Sequence, residues 1–418
     1  MQNKFGASDG LATVRYEIRG RLARRAHEME RLGYEIISLN IGNPGAFGFR
    51  TPETMRLAMI ENLRAAEAYC HQKGIFPARE AVVMQQQARG VKGVSAEEVF
   101  IGNGVSELID LTLRALLNPG DEVLVPSPDY PLWTAAVNLN RGKAVHYPCA
   151  PADGFVPDPA QIEKLITRRT RALVVINPNN PTGAVYPRAV LEQIARIAER
   201  HRLVVFSDEI YDQILYDGTE FVPMATLVHG TLCATMSGLS KVYRACGYRV
   251  GWVAYSGDLE HAAEYLAGLE LLASLRLCSN VPAQWAVQTA LGGYQSIKEL
   301  TAPGGRLYES RRAMVDAVAR SKYLRLATPG GAMYGFIEVR SDALPNFDDQ
   351  AFAMDLLEQK HVLVAPGVSF NVPYRNHFRI TNLPDAAVIA QVFERIEQLL
   401  DAYAAQGPQQ AAPQLKIV

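Results

Sequence analysis

The feature that most limits the folds open to this chain is a set of apolar runs with no polar alternation, each followed by a helical stretch. "EEVFIGNG" leads into "VSELIDLTLRALL", "DEVLVPSP" into "DYPLWTAAVNL", and "RALVVINP" into "RAVLEQIARIAERH", after which "RLVVFSDE" begins at once. A strand with one wet face alternates polar and apolar residues, because successive side chains point to opposite faces. Runs without that alternation suit strands covered on both faces. The segment therefore reads as a parallel sheet with helices packed outside it. "LCATMSGLSK" and "YRVGWVAYS" supply two further strands of the same sheet.

The pattern fades near "LGGYQSIKELTAPGG". Beyond it come a long helix, "RLYESRRAMVDAVARS", weaker strands at "AMYGFIEV" and "HVLVAPG", and a last helix, "DAAVIAQVFERIEQLLDAYAA". The fold class expected is α/β, with a large domain over 51–295 built on a mostly parallel sheet and a smaller α+β domain over 296–405. Residues 1–50 are expected to form an N-terminal segment that joins the smaller domain. The polar composition of 406–418, "QGPQQAAPQLKIV", predicts a poorly ordered tail.

Composition excludes several classes. With 418 residues, 48% of them hydrophobic and 20% charged, the chain has the make-up of an ordinary globular protein of about two domains. A formal net charge of -1 argues against a polyanion as partner, since nucleic-acid binders usually carry a basic surplus. No apolar run approaches the ~20 residues of a membrane helix, and "MQNKFGASDG" lacks the apolar core of a secretory signal, so a cytoplasmic location is expected. The five cysteines (Cys70, Cys149, Cys233, Cys246, Cys278) are scattered and odd in number, which reads as reduced thiols and not as a disulfide framework or zinc site. The eight histidines show no H-E-x-x-H, and metal catalysis is not expected.

Ligands of open parallel sheets gather at the carboxyl ends of the strands. After "VFI" comes "GNGVSE", where Gly104, Val105 and Ser106 would open a helix whose free N–H groups attract an anion; a tight turn without ligand fits the same residues. After "ALVVI" comes "NPNNPTG", in which prolines flank Asn180; an Asn/Pro turn is the plain alternative. After "LVVFS" comes "DEIY", with Asp208 at the end of a buried strand and Tyr211 three residues on, on roughly the same helical face; the aspartate would equally serve as a helix N-cap. After the next strand comes Lys241, and then Arg249 inside "SGLSKVYRACGYRVGW". Together these offer an anion cradle, an arginine, a carboxylate, a phenol, an amide and one lysine at neighbouring strand ends. Pyridoxal 5'-phosphate needs this set: a lysine for its aldehyde, cationic and backbone donors for its phosphate, and a carboxylate for its ring nitrogen.

At these residues the chain resembles the class I pyridoxal-phosphate aminotransferases of fold type I, over most of its length from "SLNIGNPG" to "HFRITNLP". "YCHQKGIFPARE", "IGNGVSELI", "PDYPLWTAAV" and "LRLCSNVPAQWAVQTALGGYQSI" are most similar to the bacterial glutamate–pyruvate (alanine) group within that class. The resemblance implies that Lys241 carries the cofactor as a Schiff base and later moves the substrate proton. It implies that Asp208 keeps the ring nitrogen protonated, that Asn180 and Tyr211 bond the ring oxygen, and that Tyr130 stacks on the ring. Gly104, Val105, Ser106, Ser240 and Arg249 would hold the phosphate. Tyr69 would be lent to the neighbouring subunit's phosphate, which makes the protein a homodimer. Arg379, in "HFRIT", would bind the substrate α-carboxylate, and Gly42, in "NIGNPG", would lie against the substrate. Aspartate-type members often have a serine where this chain has Gly238, which shifts weight onto Ser240 and leaves Ser237 in doubt. Cys246 and Cys278 lie near these motifs and are expected to be core thiols.

The same resemblance implies transamination between L-alanine and 2-oxoglutarate. Arg276 is a candidate for glutamate's distal carboxylate, and Tyr16 and Arg19, in "VRYEIRG", would close over the substrate; an ordinary amphipathic helix is the alternative there. Other donors (aromatic, valine, methionine, aspartate) and a C–S lyase on the same fold remain open readings. A ligand-sensing regulator is disfavoured, because only about 40 residues precede "LNIGNPG" and a DNA-binding helical domain needs more.

Overall fold

In the computed structural model, which describes residues 5–14 and 20–405, each of the unalternating apolar runs forms a strand. Numbered along the chain, the strands are β1 (Ile37–Ser38), β2 (Val99–Gly102), β3 (Glu122–Ser127), β4 (Lys143–Pro148), β5 (Thr170–Ile176), β6 (Val204–Asp208), β7 (Leu232–Gly238), β8 (Gly251–Gly257), β9 (Leu324–Leu326), β10 (Tyr334–Val339), β11 (Val362–Leu363), β12 (Ala365–Pro366) and β13 (His377–Thr381). Seven of them make one sheet in the order β2-β8-β7-β6-β5-β3-β4. The pairs β3–β4, β3–β5, β5–β6 and β6–β7 are parallel, whereas β8 is antiparallel to both β7 and β2.

Six strands therefore point one way and β8 alone is reversed. The amino end of β8 lies on the same edge as the carboxyl ends of the other six. That is how Arg249, two residues before β8, reaches the strand ends that carry Gly104, Tyr130, Asn180, Asp208 and Lys241. The alternation of side chains explains the unbroken apolar runs: Leu124, Leu173, Val175 and Val205 enter one core, and Val123, Val125, Val174 and Phe206 enter the other. Strand β4, which the apolar runs do not signal, lies at the edge with most of its central residues half-buried and both ends exposed.

A second, antiparallel sheet runs β12-β13-β10-β9, and β1 pairs in parallel with β11 beside it. Helix Arg21–Arg31 buries Leu22, Ala26 and Met29, spaced to share one helical face, in the same core as helices Arg306–Arg320, Asp349–Lys360 and Ala386–Ala405. On β13, Phe378 and Ile380 enter this core, so Arg379, with the opposite orientation, faces the larger sheet unit. No helix among the described residues is long and apolar enough to cross a membrane, and among them no His/Cys/Asp/Glu cluster could hold a metal ion.

The glycine at 238 has a steric cause. Gly238 pairs with Gly251, and a Cβ placed on it would lie 2.7 Å from the Val250 carbonyl oxygen and 3.0 Å from Gly251 Cα. Only a residue without a side chain lets β7 and β8 approach this closely. Gly238→Ser is expected to cost about 1–3 kcal/mol through forced separation of the strands. Thermal and urea melts check this, and an unchanged melting temperature would mean that the two strands yield freely here.

Candidate active site

Lys241 follows β7 in a turn and extends its Nζ to the Gly42 carbonyl oxygen at 2.6 Å, with the Cys246 Sγ at 3.9 Å. Cys246 is half-buried and donates to the Ser240 carbonyl at 3.0 Å. Arg249 adopts a left-handed conformation, φ 54°, which turns the chain sharply into β8. Its Nη1 donates to the Cys246 carbonyl at 3.0 Å and its Nη2 to the Asn103 carbonyl at 3.3 Å.

The guanidinium lies against Gly104, whose φ is +81° and on which a Cβ would fall 2.3 Å from Arg249 Nη2. Helix Val105–Leu116 starts here, with Ser106 in its first turn. Its open N–H groups and the Arg249 guanidinium, which has no carboxylate within 4 Å among the described residues, make a cradle for an anion such as phosphate. A supporting network lies behind it. Glu107 accepts from Asn103 N at 2.7 Å and pairs with Arg276 at 3.2 Å, while Asn280 donates to the Arg249 carbonyl at 3.2 Å.

Asp208 ends β6 at 3% exposure. Trp133, one turn into helix Pro131–Leu139, donates its indole N–H to Oδ2 at 3.1 Å. Burial pushes the carboxyl up from an ordinary 3.8 to about 6, against the opposing pull of the Trp133 and Ile210 hydrogen bonds and the Lys241 charge. No cation lies within 4 Å of it among the described residues, so a protonated ring nitrogen would meet an unpaired, desolvated acid. The next carboxylate, Glu209, is structural: it accepts from Ser207 Oγ at 2.9 Å and Met224 N at 3.1 Å, and Arg89 lies 3.7 Å away.

Tyr211 bonds the Tyr334 hydroxyl at 2.9 Å, and burial holds its phenol well above the ordinary value. Arg379, only 2% exposed, donates to Asn180 Oδ1 at 2.8 Å and to the Asn40 carbonyl, with its Cζ 4.3 Å from the Tyr334 ring centre and 4.7 Å from that of Phe370. Its Nε is buried without a partner, and it has no carboxylate within 4 Å among the described residues. Tyr334 also presses on the backbone, since a Cβ on Gly42 would fall 2.1 Å from its hydroxyl oxygen.

The structure thus brings Gly42, Gly104, Val105, Ser106, Asn180, Asp208, Tyr211, Ser240, Lys241, Arg249 and Arg379 to the junction of the two sheet units, and Tyr130 precedes the helix that carries Trp133. Several expectations change. Tyr211 lies in a turn after β6, not on a helix, because the chain bends at once into the Leu215 bridge to Gly331. Arg276 pairs with Glu107 and donates to the Ile101 carbonyl at 2.9 Å, behind the anion cradle. Cys246 and Cys278 are half-buried, not core, and Cys246 borders Lys241. Tyr69 is 78% exposed, which leaves its expected place at a neighbouring subunit unchanged. Tyr16 and Arg19 lie outside the described residues, as does 406–418. Asn40, Tyr334 and Phe370 carry no sequence signal of their own, since an aromatic in an apolar run looks like core and an asparagine in a loop looks like a turn residue. Only Trp133, one turn beyond Tyr130 in "PDYPLW", could have been found by its spacing.

The reversed strand, the anion cradle and the lysine at the sheet edge define the fold type I architecture of group-transfer enzymes. The family model "Aminotransferase class I and II" matches residues 34–396. The chain is 48% identical to the glutamate-pyruvate aminotransferase AlaA of Escherichia coli over 95% of its own length and 98% of the relative's. It is 45% identical to the alanine aminotransferase of Mycobacterium tuberculosis over 96% and 94%. Among solved structures, an aminotransferase from Escherichia coli matches with a TM-score of 0.94, 47% identity and coverage of 97% and 99%. The alanine aminotransferase from Pyrococcus furiosus matches at 0.90, with 34% identity and coverage of 95% and 100%. The protein belongs to the class I and II aminotransferases.

The buried Asp208 carries a measurable signature. Its folded-state pKa is raised above the unfolded one, so its contribution to stability is complete below an ordinary 3.8 and is lost as the pH rises through about 6. In protein freed of small molecules, Asp208→Asn is expected to gain on the parent by roughly 2–3 kcal/mol between about pH 4 and about pH 8. Chemical denaturation at both pH values checks this. Equal differences at the two would mean that the carboxyl is solvated in the folded protein.

Proposed function

We propose that this aminotransferase moves the amino group between L-alanine and 2-oxoglutarate, giving pyruvate and L-glutamate, with pyridoxal 5'-phosphate as its cofactor. The observation that carries the reading is that Lys241 and Arg379, from different units, meet the same short segment: Lys241 Nζ bonds the Gly42 carbonyl and Arg379 bonds that of Asn40. A substrate carboxylate on Arg379 sets its Cα near the lysine. The names of the Escherichia coli and Mycobacterium tuberculosis relatives support the choice of alanine and glutamate.

The residues fit the cofactor: an uncompensated cationic cradle for its phosphate and a desolvated acid for its ring nitrogen. When bound, it supplies an electron sink that makes the substrate Cα–H acidic. Gly104, Val105, Ser106, Ser240 and Arg249 would hold the phosphate, and Tyr130 would offer its ring to the cofactor ring. Asp208 would hold a proton at the ring nitrogen, its own charge stabilised by that cation. Asn180 commits its amide oxygen to Arg379, which leaves its NH₂ group, with the Tyr211 hydroxyl, for the ring oxygen. Arg379 has five N–H donors and commits one to Asn180 and one to Asn40, so donors remain for the α-carboxylate. Lys241, whose Nζ lies by the Gly42 carbonyl, would take the proton from the substrate Cα and hold it at Nζ for its return. Gly42 gives backbone surface along the substrate. Alanine and glutamate share the amino and carboxylate groups that these residues read, so one site serves both half-reactions in turn.

Purified protein is expected to show the visible band of its bound cofactor, to lose it with L-alanine and to recover it with 2-oxoglutarate. A band that ignores alanine but answers to another amino acid would change the donor. Release of ammonia and pyruvate from cystathionine would replace transfer by elimination. The protein is further read as a homodimer in which Tyr69 completes the partner's phosphate site. Tyr69→Ala and Lys241→Ala variants, each weak alone, should then regain activity on mixing and refolding, because one site per heterodimer has both residues intact. No recovery in verified heterodimers would keep Tyr69 within its own chain.

A further inference from the structure

We propose that Asp129 and Asn371 form a latch between the two units that positions Arg379 for the substrate carboxylate. This rests on the reading of Arg379 given above and adds the residues that set its place. Asp129 is fully buried between β3 and helix Pro131–Leu139. Its Oδ1 accepts from Asn371 Nδ2 at 2.8 Å, its Oδ2 accepts from Thr134 Oγ1, and its backbone N–H donates to the Phe370 carbonyl at 3.1 Å. Ser127 Oγ adds a bond to the Asn371 carbonyl at 2.8 Å. His146 Nε2 lies 2.9 Å from Thr134 Oγ1.

Three bonds thus hold Phe370 and Asn371 of the smaller unit against the end of β3. Asn371 has φ 55°, a conformation that asparagine tolerates and that turns the chain after Phe370. Phe370 is buried and its ring lies against the Arg379 guanidinium, opposite neither solvent nor a carboxylate. On the other side, helix Pro131–Leu139 carries both Thr134, which holds Asp129, and Trp133, which holds Asp208. One short helix therefore fixes Asp208 directly and the Phe370 support of Arg379 through the latch. Asp129 and Asn371 touch no reacting atom; they are positioning residues.

The test uses the holoenzyme and propionate, a three-carbon carboxylate without an amino group, as competitive inhibitor against alanine. Asn371→Gly keeps the left-handed backbone and removes the amide. It should weaken propionate and raise KM for both alanine and 2-oxoglutarate about tenfold, the worth of one good hydrogen bond, with kcat within about threefold. Asp129→Asn combined with Asn371→Asp rebuilds the bond with donor and acceptor exchanged, and should bring propionate binding back to within about threefold of the parent. Ser127→Ala should shift the same constant in the same direction, by about threefold. Unchanged propionate binding in Asn371→Gly, or an exchange pair no better than the single variants, overturns the latch. Arg379→Lys separates the two readings: lost propionate binding there with an unaffected Asn371→Gly rejects the latch alone, whereas parental binding in Arg379→Lys rejects Arg379 as the carboxylate site and the latch with it.

Discussion

A guanidinium buried without a carboxylate is the constraint around which the smaller unit is arranged. Removing such a charge from water is costly unless other groups replace the lost hydration. Arg379 is held by two aromatic rings, the Asn180 amide and the Asn40 carbonyl, and none of these is an anion. The cation is solvated enough to stay in place and remains unpaired. Each of its partners comes from a different segment, so Arg379 joins the N-terminal loop, the strand end after β5, β10 and the turn around Phe370.

Asp208 mirrors it at the other end of the site. It too is buried, with an indole N–H and a weak backbone contact in place of a cation, and burial raises its pKa. A buried carboxyl and a buried guanidinium, each without an ionic partner, lower the stability of the empty protein and favour a ligand that brings the complementary charges. A pyridinium and a carboxylate are such charges, and in this low-dielectric setting each is worth more than it would be in water. The reversed β8 completes the frame by bringing Arg249 to the edge where the helix N-terminus stands.

Much of this was legible because strand-end chemistry is local. "NPNNPTG", "SDEIYD" and "SGLSKVYRACGYRVGW" each keep a functional residue within a few positions of a recognisable strand, and Gly104, Asn180, Asp208, Lys241 and Arg249 do gather at one edge. Residues whose part depends on a partner distant in sequence were illegible or misread. Arg276 pairs with Glu107, a residue far from it in sequence, and no local pattern shows that contact. Tyr334 looked like a strand aromatic, yet it contacts Tyr211, Arg379 and Gly42. Cys246 passed for a core thiol because nothing local shows that the turn after Lys241 folds back on it.

The sequence by itself determined the parallel sheet, the order of its strand-end motifs and the residue types needed at each, since hydrophobic periodicity and turn chemistry act over a few residues. It also determined Gly238, although the reason, the approach of Val250 and Gly251, lies across the sheet. Only the tertiary structure decided that β8 runs backwards, that Trp133 supports Asp208, and that Asn40 and Gly42 bridge Arg379 and Lys241. Those facts depend on which surfaces meet when two cores form together. Residues far apart in sequence become neighbours only after the loops between them have closed, and no short stretch of sequence records that geometry.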